Sequence, residues 1–407
     1  MKKSFGREYK KEFPFEEKYL PLSHGSYGAY PKALQPIIDQ YRQRAEQHPD
    51  RWNRFEVREL IEDNLKRAAT LLRCDPKDLV FDLNASTAAN NILRSFPFEE
   101  GDKILCYQTA YVNCDKTLEF LQNYKKVELV RINLSYPIED DDVIRLTREA
   151  IERENAKESG KIRLCMLDVI TSVPGVCKPY KSLVKLLKEY DILSLVDGAH
   201  SLGHVELNLT ELDPDFFFAN CHKWLFTPRG CTVLYVAKRN QGFIHPTVIN
   251  YAFQHHPDPT DGSTFKEEHL PGVVDVIPFL CVGPALDYRE SIGGEEAICE
   301  YNHQLAVEGG KLVANMLGTQ VMENSTKTLT ANMVNIELPI PSTVKLSDYE
   351  ITRFFMKKSI FEHNSILNVY KNNGKWWVRL CSQIYLELDD FRLAGEIIIK
   401  LLKELEQ

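Results

Sequence analysis

Ile192-Leu193-Ser194-Leu195-Val196-Asp197-Gly198-Ala199-His200 places an apolar run directly before an aspartate, a glycine and a small residue. Further on, Phe216-Phe217-Phe218-Ala219-Asn220-Cys221-His222-Lys223-Trp224 repeats the arrangement, with a lysine 26 positions after Asp197. Each run is short, continuous and apolar, as expected of a strand buried on both faces. Outward from this pair the same signal recurs at Leu79-Val80-Phe81, Ile104 to Tyr107, Val127 to Ile132, Arg163 to Asp168 and Thr232 to Val236. Segments with leucines at helical spacing, such as Asp115 to Asn123 and Tyr180 to Tyr190, lie between them. Strand–helix alternation predicts an α/β fold with a mainly parallel sheet covered by helices on both faces.

The chain has 407 residues, long enough for two or three domains. Apolar residues at 43% and charged residues at 27% fit a globular chain and exclude fibrous or largely disordered classes. The net charge of −8 implies no broad basic surface, so nucleic acid and anionic membranes are not expected partners. No apolar run approaches the ~20 residues of a membrane span, and the polar start Met1 to Glu8 lacks a signal-peptide core. A cytoplasmic location is the expectation. The ten cysteines include no C-x-x-C pair, and read as small buried hydrophobes. From about Asn240 to Pro271 the chain is rich in His, Pro, Asp and Gly, and reads as a long excursion. Beyond Gly318 it changes to short strands (Met333 to Leu338, Val378 to Leu380) and helices. The expected division is a large domain over 1–285 and a smaller one over 286–407.

In open α/β sheets, ligands bind beyond the carboxyl ends of the strands. After Phe81 comes Asp82-Leu83-Asn84-Ala85-Ser86-Thr87-Ala88-Ala89-Asn90, a small-residue loop opening a helix. Free N–H groups and two hydroxyls there make an anion cradle; read alone, the same residues are a helix cap. Asp197 is either a helix-capping residue or a carboxylate facing a ligand. Lys223, directly after a buried strand, is either a turn lysine or a desolvated amine able to act as nucleophile and base. Together, an anion cradle, a carboxylate and a lysine on one α/β sheet are the parts pyridoxal phosphate needs.

On these motifs the chain resembles the fold-type I, class V aminotransferase superfamily, and within it the isopenicillin-N epimerase-like branch. That branch includes hercynylcysteine sulfoxide lyases of ergothioneine synthesis and cysteine desulfhydrases. The resemblance runs from about Leu22 to Phe391. It also rests on Leu22-Ser23-His24-Gly25-Ser26-Tyr27-Gly28, Tyr301-Asn302-His303, Trp376-Trp377-Val378-Arg379-Leu380 and Gln383-Ile384-Tyr385. It implies pyridoxal 5'-phosphate as cofactor and a homodimer with shared active sites. Lys223 would join the cofactor aldehyde and then take the substrate Cα proton. Asp197 would pair with the ring nitrogen, with His200 near the ring. Ala85, Ser86 and Thr87, helped by Asn220 and His222, would hold the phosphate. Tyr111 would stack on the ring and Ser172 contact its phenolic oxygen. Arg379 would hold the substrate α-carboxylate, where a planar fork suits two oxygens. His24 and Ser26 would line the entrance; Tyr27, Trp52, Arg54 and His255 are further pocket candidates.

Two departures stand out. Val273 occupies the place of a branch threonine whose hydroxyl reaches the phosphate from the neighbouring subunit. Loss of one neutral hydrogen bond is worth on the order of 1 kcal/mol, about fivefold in affinity. Cys381 stands where many relatives have serine. Persulfide-forming desulfurases carry a nucleophilic cysteine on a loop before the carboxylate arginine, and Ile360 to Tyr370 has none. The expected reaction is β-elimination from a cysteine-derived amino acid, giving pyruvate and ammonia. The alternative is an epimerase or aminotransferase starting from the same Cα proton loss. A scaffold that had abandoned chemistry would have no use for Lys223, Asp197 and Arg379 together.

Overall fold

The computed structural model describes residues 4–157, 159–254, 262–270 and 272–406. Seven strands form the main sheet: β1 (Leu79–Asp82), β2 (Lys103–Tyr107), β3 (Glu128–Ile132), β4 (Ile162–Asp168), β5 (Leu193–Asp197), β6 (Phe216–Asn220) and β7 (Thr232–Val236). Their order is β1-β7-β6-β5-β4-β2-β3. The β2–β3, β2–β4, β4–β5 and β5–β6 pairs are parallel, whereas β7 runs antiparallel to β6 and β1. β7 reverses because the link from β6, residues 221–231, carries one helical turn and no crossover helix.

The strand residues divide between two cores with a period of two, as a pleated strand buried on both faces requires. Leu105, Tyr107, Leu167, Val196, Phe217 and Val233 face helices Val57–Leu72, Asp140–Asn155 and Tyr180–Glu189. Ile104, Cys106, Leu164, Leu195, Phe216, Phe218 and Leu234 face helices Ala85–Ser95 and Val112–Tyr124. The mainly parallel, doubly covered sheet read from the sequence is therefore the observed one. At the edge, β3 exposes Glu128 and Arg131, charges that discourage pairing with another chain.

A second, antiparallel sheet is ordered β8-β10-β9, from Met333–Leu338, Lys375–Cys381 and Asn368–Asn372 respectively. The β9–β10 hairpin closes through Asn373 (φ 48°) and Gly374 (φ 76°), the residue pair a two-residue type I′ turn favours. Helices Gly294–Leu317 and Leu388–Leu405 cover this sheet through Ala306, Val313, Phe391 and Ile398. The N-terminal segment joins the same core with Tyr9, Phe13, Leu20 and Leu22. The Cys381 N–H donates to the Leu22 carbonyl at 2.8 Å, which fixes the chain just before His24. Among the described residues no helix is long and apolar enough to cross a membrane.

Candidate active site

The carboxyl ends of β1, β4, β5 and β6 surround a cavity of about 330 Å³. Ser26, Ala85, Ser86, Tyr111, Ser172, Asp197, His200, Asn220, His222 and Lys223 line it. Thr87, Arg379 and His24 are not on its wall.

Asp197 ends β5 and is 3% exposed. Its Oδ1 accepts the Ala199 N–H at 2.8 Å, and its Oδ2 lies 3.8 Å from the Cys114 thiol, a weak donor. Burial, and then the neighbouring Asp168 carboxylate, push its pKa up to about 7. Asp168 is its register neighbour on β4 and is itself paired with the buried Lys178 at 2.8 Å. The glycine after Asp197 has a steric reason: a Cβ on Gly198 would sit 2.5 Å from the Phe217 ring.

Lys223 lies in the turn Cys221–Trp224 directly after β6, with Nζ 3.0 Å from His200 Nε2. Burial lowers its pKa, against the attraction of Asp197, and the Arg379 charge lowers it further. The hydrogen-bond directions agree. Trp224 Nε1–H can only donate, and lies 3.4 Å from His200 Nδ1. Burial holds His200 well below its usual pKa, so the neutral ring assigned this way carries its proton on Nε2. That proton faces Lys223 Nζ and is donated to its lone pair when the amine has lost its own extra proton, a loss that burial eases by lowering the Lys223 pKa to about 8. The turn is anchored from below by Arg289, 1% exposed, which donates to the Trp224 carbonyl at 2.8 Å and is paired with Glu295.

The anion cradle forms where β1 leads into helix Ala85–Ser95. Asn220 Oδ1 accepts from Ala85 N–H at 3.1 Å and from the Thr232 hydroxyl at 2.6 Å. With its oxygen so used, Asn220 offers its NH2 group to the cavity. The N–H of Ser86 lies in the first turn, which the helix ladder leaves unpaired. Ser86 Oγ accepts from Asn113 at 3.2 Å. Thr87 is turned away: its N–H and hydroxyl both donate to Asn84, the cap, at 3.0 and 3.2 Å. His222 donates Nδ1–H to the Cys231 carbonyl at 3.1 Å, and burial lowers its pKa to about 4.

Arg379, on β10, is 2% exposed and lies behind the cavity wall. Its Nη1 donates to the Ser172 carbonyl at 2.6 Å and its Nη2 to the Ser26 hydroxyl at 3.0 Å, while Nε is buried without a partner. His24 holds the N-terminal segment in register, with Nε2 2.6 Å from the Lys223 carbonyl and Nδ1 2.7 Å from the Tyr385 hydroxyl. A carbonyl only accepts, so Nε2 carries the proton; burial, which lowers the His24 pKa to about 3, keeps the ring neutral. Tyr111 caps helix Val112–Tyr124 and is 39% exposed at the mouth. Trp52 does not reach the cavity, because it is packed into the main core beside Tyr41. Arg54 pairs with Asp50 on an exposed helical face, and His255 lies outside the described residues. Cys381 is buried, and burial raises its thiol pKa, which removes the thiolate a nucleophile needs.

Cys114, Asn113, the Asp168–Lys178 pair and Arg289 went unread in the sequence. Lysine is seldom fully buried without a partner, but nothing in the local sequence around Lys178 announces burial.

The geometry fits pyridoxal phosphate: convergent donors at one end, a buried carboxyl at the other, a buried amine of lowered pKa between, and an unpartnered guanidinium N–H behind. Comparison with known proteins agrees. A model of the family described as Aminotransferase class-V matches residues 32–349. The hercynylcysteine sulfoxide lyase of Schizosaccharomyces pombe is 31% identical over 97% of both chains. The L-cysteine desulfhydrase-like protein lolT1 of Epichloe uncinata is 30% identical over 98% of this chain and 96% of its own. Among solved structures, a cystine C–S lyase in complex with cysteine persulfide superposes with a TM-score of 0.79 at 17% identity, over 96% of this chain and 99% of its own, a likeness of fold.

Proposed function

The chain belongs to the aminotransferase class-V family, and we propose that within it the protein is a pyridoxal-phosphate-dependent C–S lyase acting on a cysteine-derived amino acid. The observation that carries this reading is the Lys223–His200–Trp224 chain of hydrogen bonds, which holds a buried amine of lowered pKa close to the buried Asp197 carboxyl. When bound, the cofactor supplies an aldehyde that joins Lys223 and then the substrate amine, and a protonated ring that draws electrons from Cα. Ser86, through its N–H and hydroxyl, with Asn220 and His222 would hold its phosphate, while Ala85 and Thr87 spend their donors on Asn220 and Asn84; Asp197 would hold its ring nitrogen, Tyr111 cover one face and Ser172 meet its phenolic oxygen.

Arg379 turns its fork from Ser26 and Ser172 to the substrate carboxylate, with Ser26 on the cavity wall and His24 behind it, holding the N-terminal segment in place. Lys223, released as a neutral amine, turns its lone pair from His200 Nε2–H to the substrate and takes the Cα proton. The Cβ–S bond then breaks, and sulfur leaves with the bonding electrons. The remaining enamine, on release, takes up water to give pyruvate and ammonia. Buried thiols, Cys381 among them, have no part in this sequence, so the sulfur arrives on the substrate.

The protein is further proposed to be a cytoplasmic homodimer, with units divided at about residue 285. Ten unpaired cysteines suit a reducing compartment. The exposed apolar side chains of Val248, Tyr251 and Val273 support self-association. The reaction is tested by supplying S-substituted cysteines and their sulfoxides to the cofactor-loaded protein. Pyruvate and ammonia should appear in equal amounts; racemised amino acid without pyruvate would select the epimerase instead.

A further inference from the structure

Asp168, at the end of β4, takes no part in the proposed reaction, yet it is buried on the cavity wall. It stands in register with Asp197 on β5. Two carboxyls side by side in a buried site oppose each other's ionisation, so one of them needs a charged partner. Lys178, its side chain wholly buried, is that partner. The chain doubles back to supply it. Ile170 and Cys177 form an antiparallel bridge after β4, and the Lys178 N–H donates to the Val169 carbonyl at 3.0 Å. The ammonium then lies 2.8 Å from Asp168 Oδ2 and 3.8 Å from the centre of the Tyr107 ring, whose face attracts a desolvated cation. The Tyr107 hydroxyl is held in turn by that of Thr147 at 2.8 Å.

Tyr107 belongs to β2, on the far side of β4 from β5. The ion pair therefore turns its negative end toward Asp197, where Asp168 outweighs Lys178. The other groups facing Asp197 are Cys114 and Tyr111 from the start of helix Val112–Tyr124, Lys223 beyond β6, and the Ala199 N–H with His200 beyond β5. Phe218, its register neighbour on β6, is apolar. A buried ion pair seldom repays its desolvation in stability alone, and apolar replacements are often neutral or stabilising. We propose that Asp168 and Lys178 are positioning residues for the cofactor: Asp168, kept ionised by Lys178, adds its field to that of Asp197, and together they keep the ring nitrogen protonated. A negative charge raises the proton affinity of every group near it. The field that holds a proton on Asp197 in the empty site thus holds one on the ring nitrogen in the filled site. At roughly 5 Å, the spacing of adjacent strands, one unit charge is worth on the order of a hundredfold in proton affinity, and the opposed charge of Lys178 leaves about tenfold. This rests on the placement of the ring nitrogen at Asp197 and is independent of whether sulfur leaves the substrate.

The probe is deazapyridoxal phosphate, which keeps the phosphate and aldehyde and carries C–H in place of the ring nitrogen. Its affinity and that of pyridoxal phosphate are measured by equilibrium titration of the cofactor-free protein, at a pH above the ring nitrogen's own pKa. Asp168→Asn/Lys178→Met, an uncharged pair of similar volume, should lower the preference for pyridoxal phosphate about tenfold and leave the deaza analogue within about twofold. Should that variant fold poorly, Asp168→Asn alone, which leaves the lysine in place, should lower the preference at least as far. In the cofactor-free double variant, the fall of denaturant midpoint with pH that depends on Asp197 should lie about one pH unit lower, because Asp197 there gives up its proton more easily. An unchanged preference, or an equal loss for both ligands as a merely structural pair would cause, overturns the proposal. A preference that survives Asp197→Asn would overturn the ring placement instead, while the shifted Asp197 titration would still uphold the field of Asp168.

Discussion

The two halves of the site are built differently. At the ends of β1, β5 and β6, fixed partners already occupy the acceptors: Ala199 N–H on Asp197, Ala85 N–H and Thr232 on Asn220. What is left over, an amide NH2 and a first-turn N–H, points at one place. On the other side the Arg379 fork is closed upon Ser26 and Ser172. The cofactor half is pre-organised by backbone geometry, whereas in the proposed reaction the substrate half would exchange internal bonds for a carboxylate. Preorganised donors need no rearrangement during reaction; the exchanged ones make binding depend on the substrate.

That contrast predicts effects of different kind and size. Lys223→Ala should lower kcat by about 10⁴, since it removes both the covalent link and the base, as steady-state pyruvate release will show. Arg379→Lys should lower kcat/KM about a hundredfold, mostly through KM, because a point charge cannot reproduce the fork; an unchanged KM would remove Arg379 from carboxylate binding. A third effect lies in stability. Burial raises the Asp197 pKa above its unfolded value, so the cofactor-free native state holds a proton that the unfolded chain releases. That contribution is complete below about pH 4 and is lost as pH rises through about 7. Denaturant midpoints should therefore fall between about pH 4 and pH 7, and less steeply in Asp197→Asn. Asp82, raised in the same direction to about 7, should keep some slope; an identical slope in the variant would mean Asp197 is not protonated. Smallest is Val273→Thr, which should tighten cofactor binding about fivefold, measured by equilibrium titration.

The cofactor half was the more legible in the sequence, for a physical reason. Its residues stand at the ends of continuous apolar strands, so strand recognition also locates Asp197 and Lys223. The small sheet was partly missed. Strand β9 (Asn-Val-Tyr-Lys-Asn) has too little alternation to declare itself, although the Asn373-Gly374 turn beside it was a usable signal. Contacts such as Cys114 with Asp197, 83 positions apart, exist only once helix and strand pack. Thr87 shows the limit of motif transfer: the hydroxyl is at the expected place in the chain, but its own cap claims it.

The most direct test is the identity of the amine that carries the cofactor. The holoprotein, reduced with borohydride and digested, should yield one peptide bearing a pyridoxyl group, and tandem mass spectrometry should place that group on Lys223. A pyridoxyl group on any other lysine, or none at all in a protein that binds the cofactor, would contradict the account.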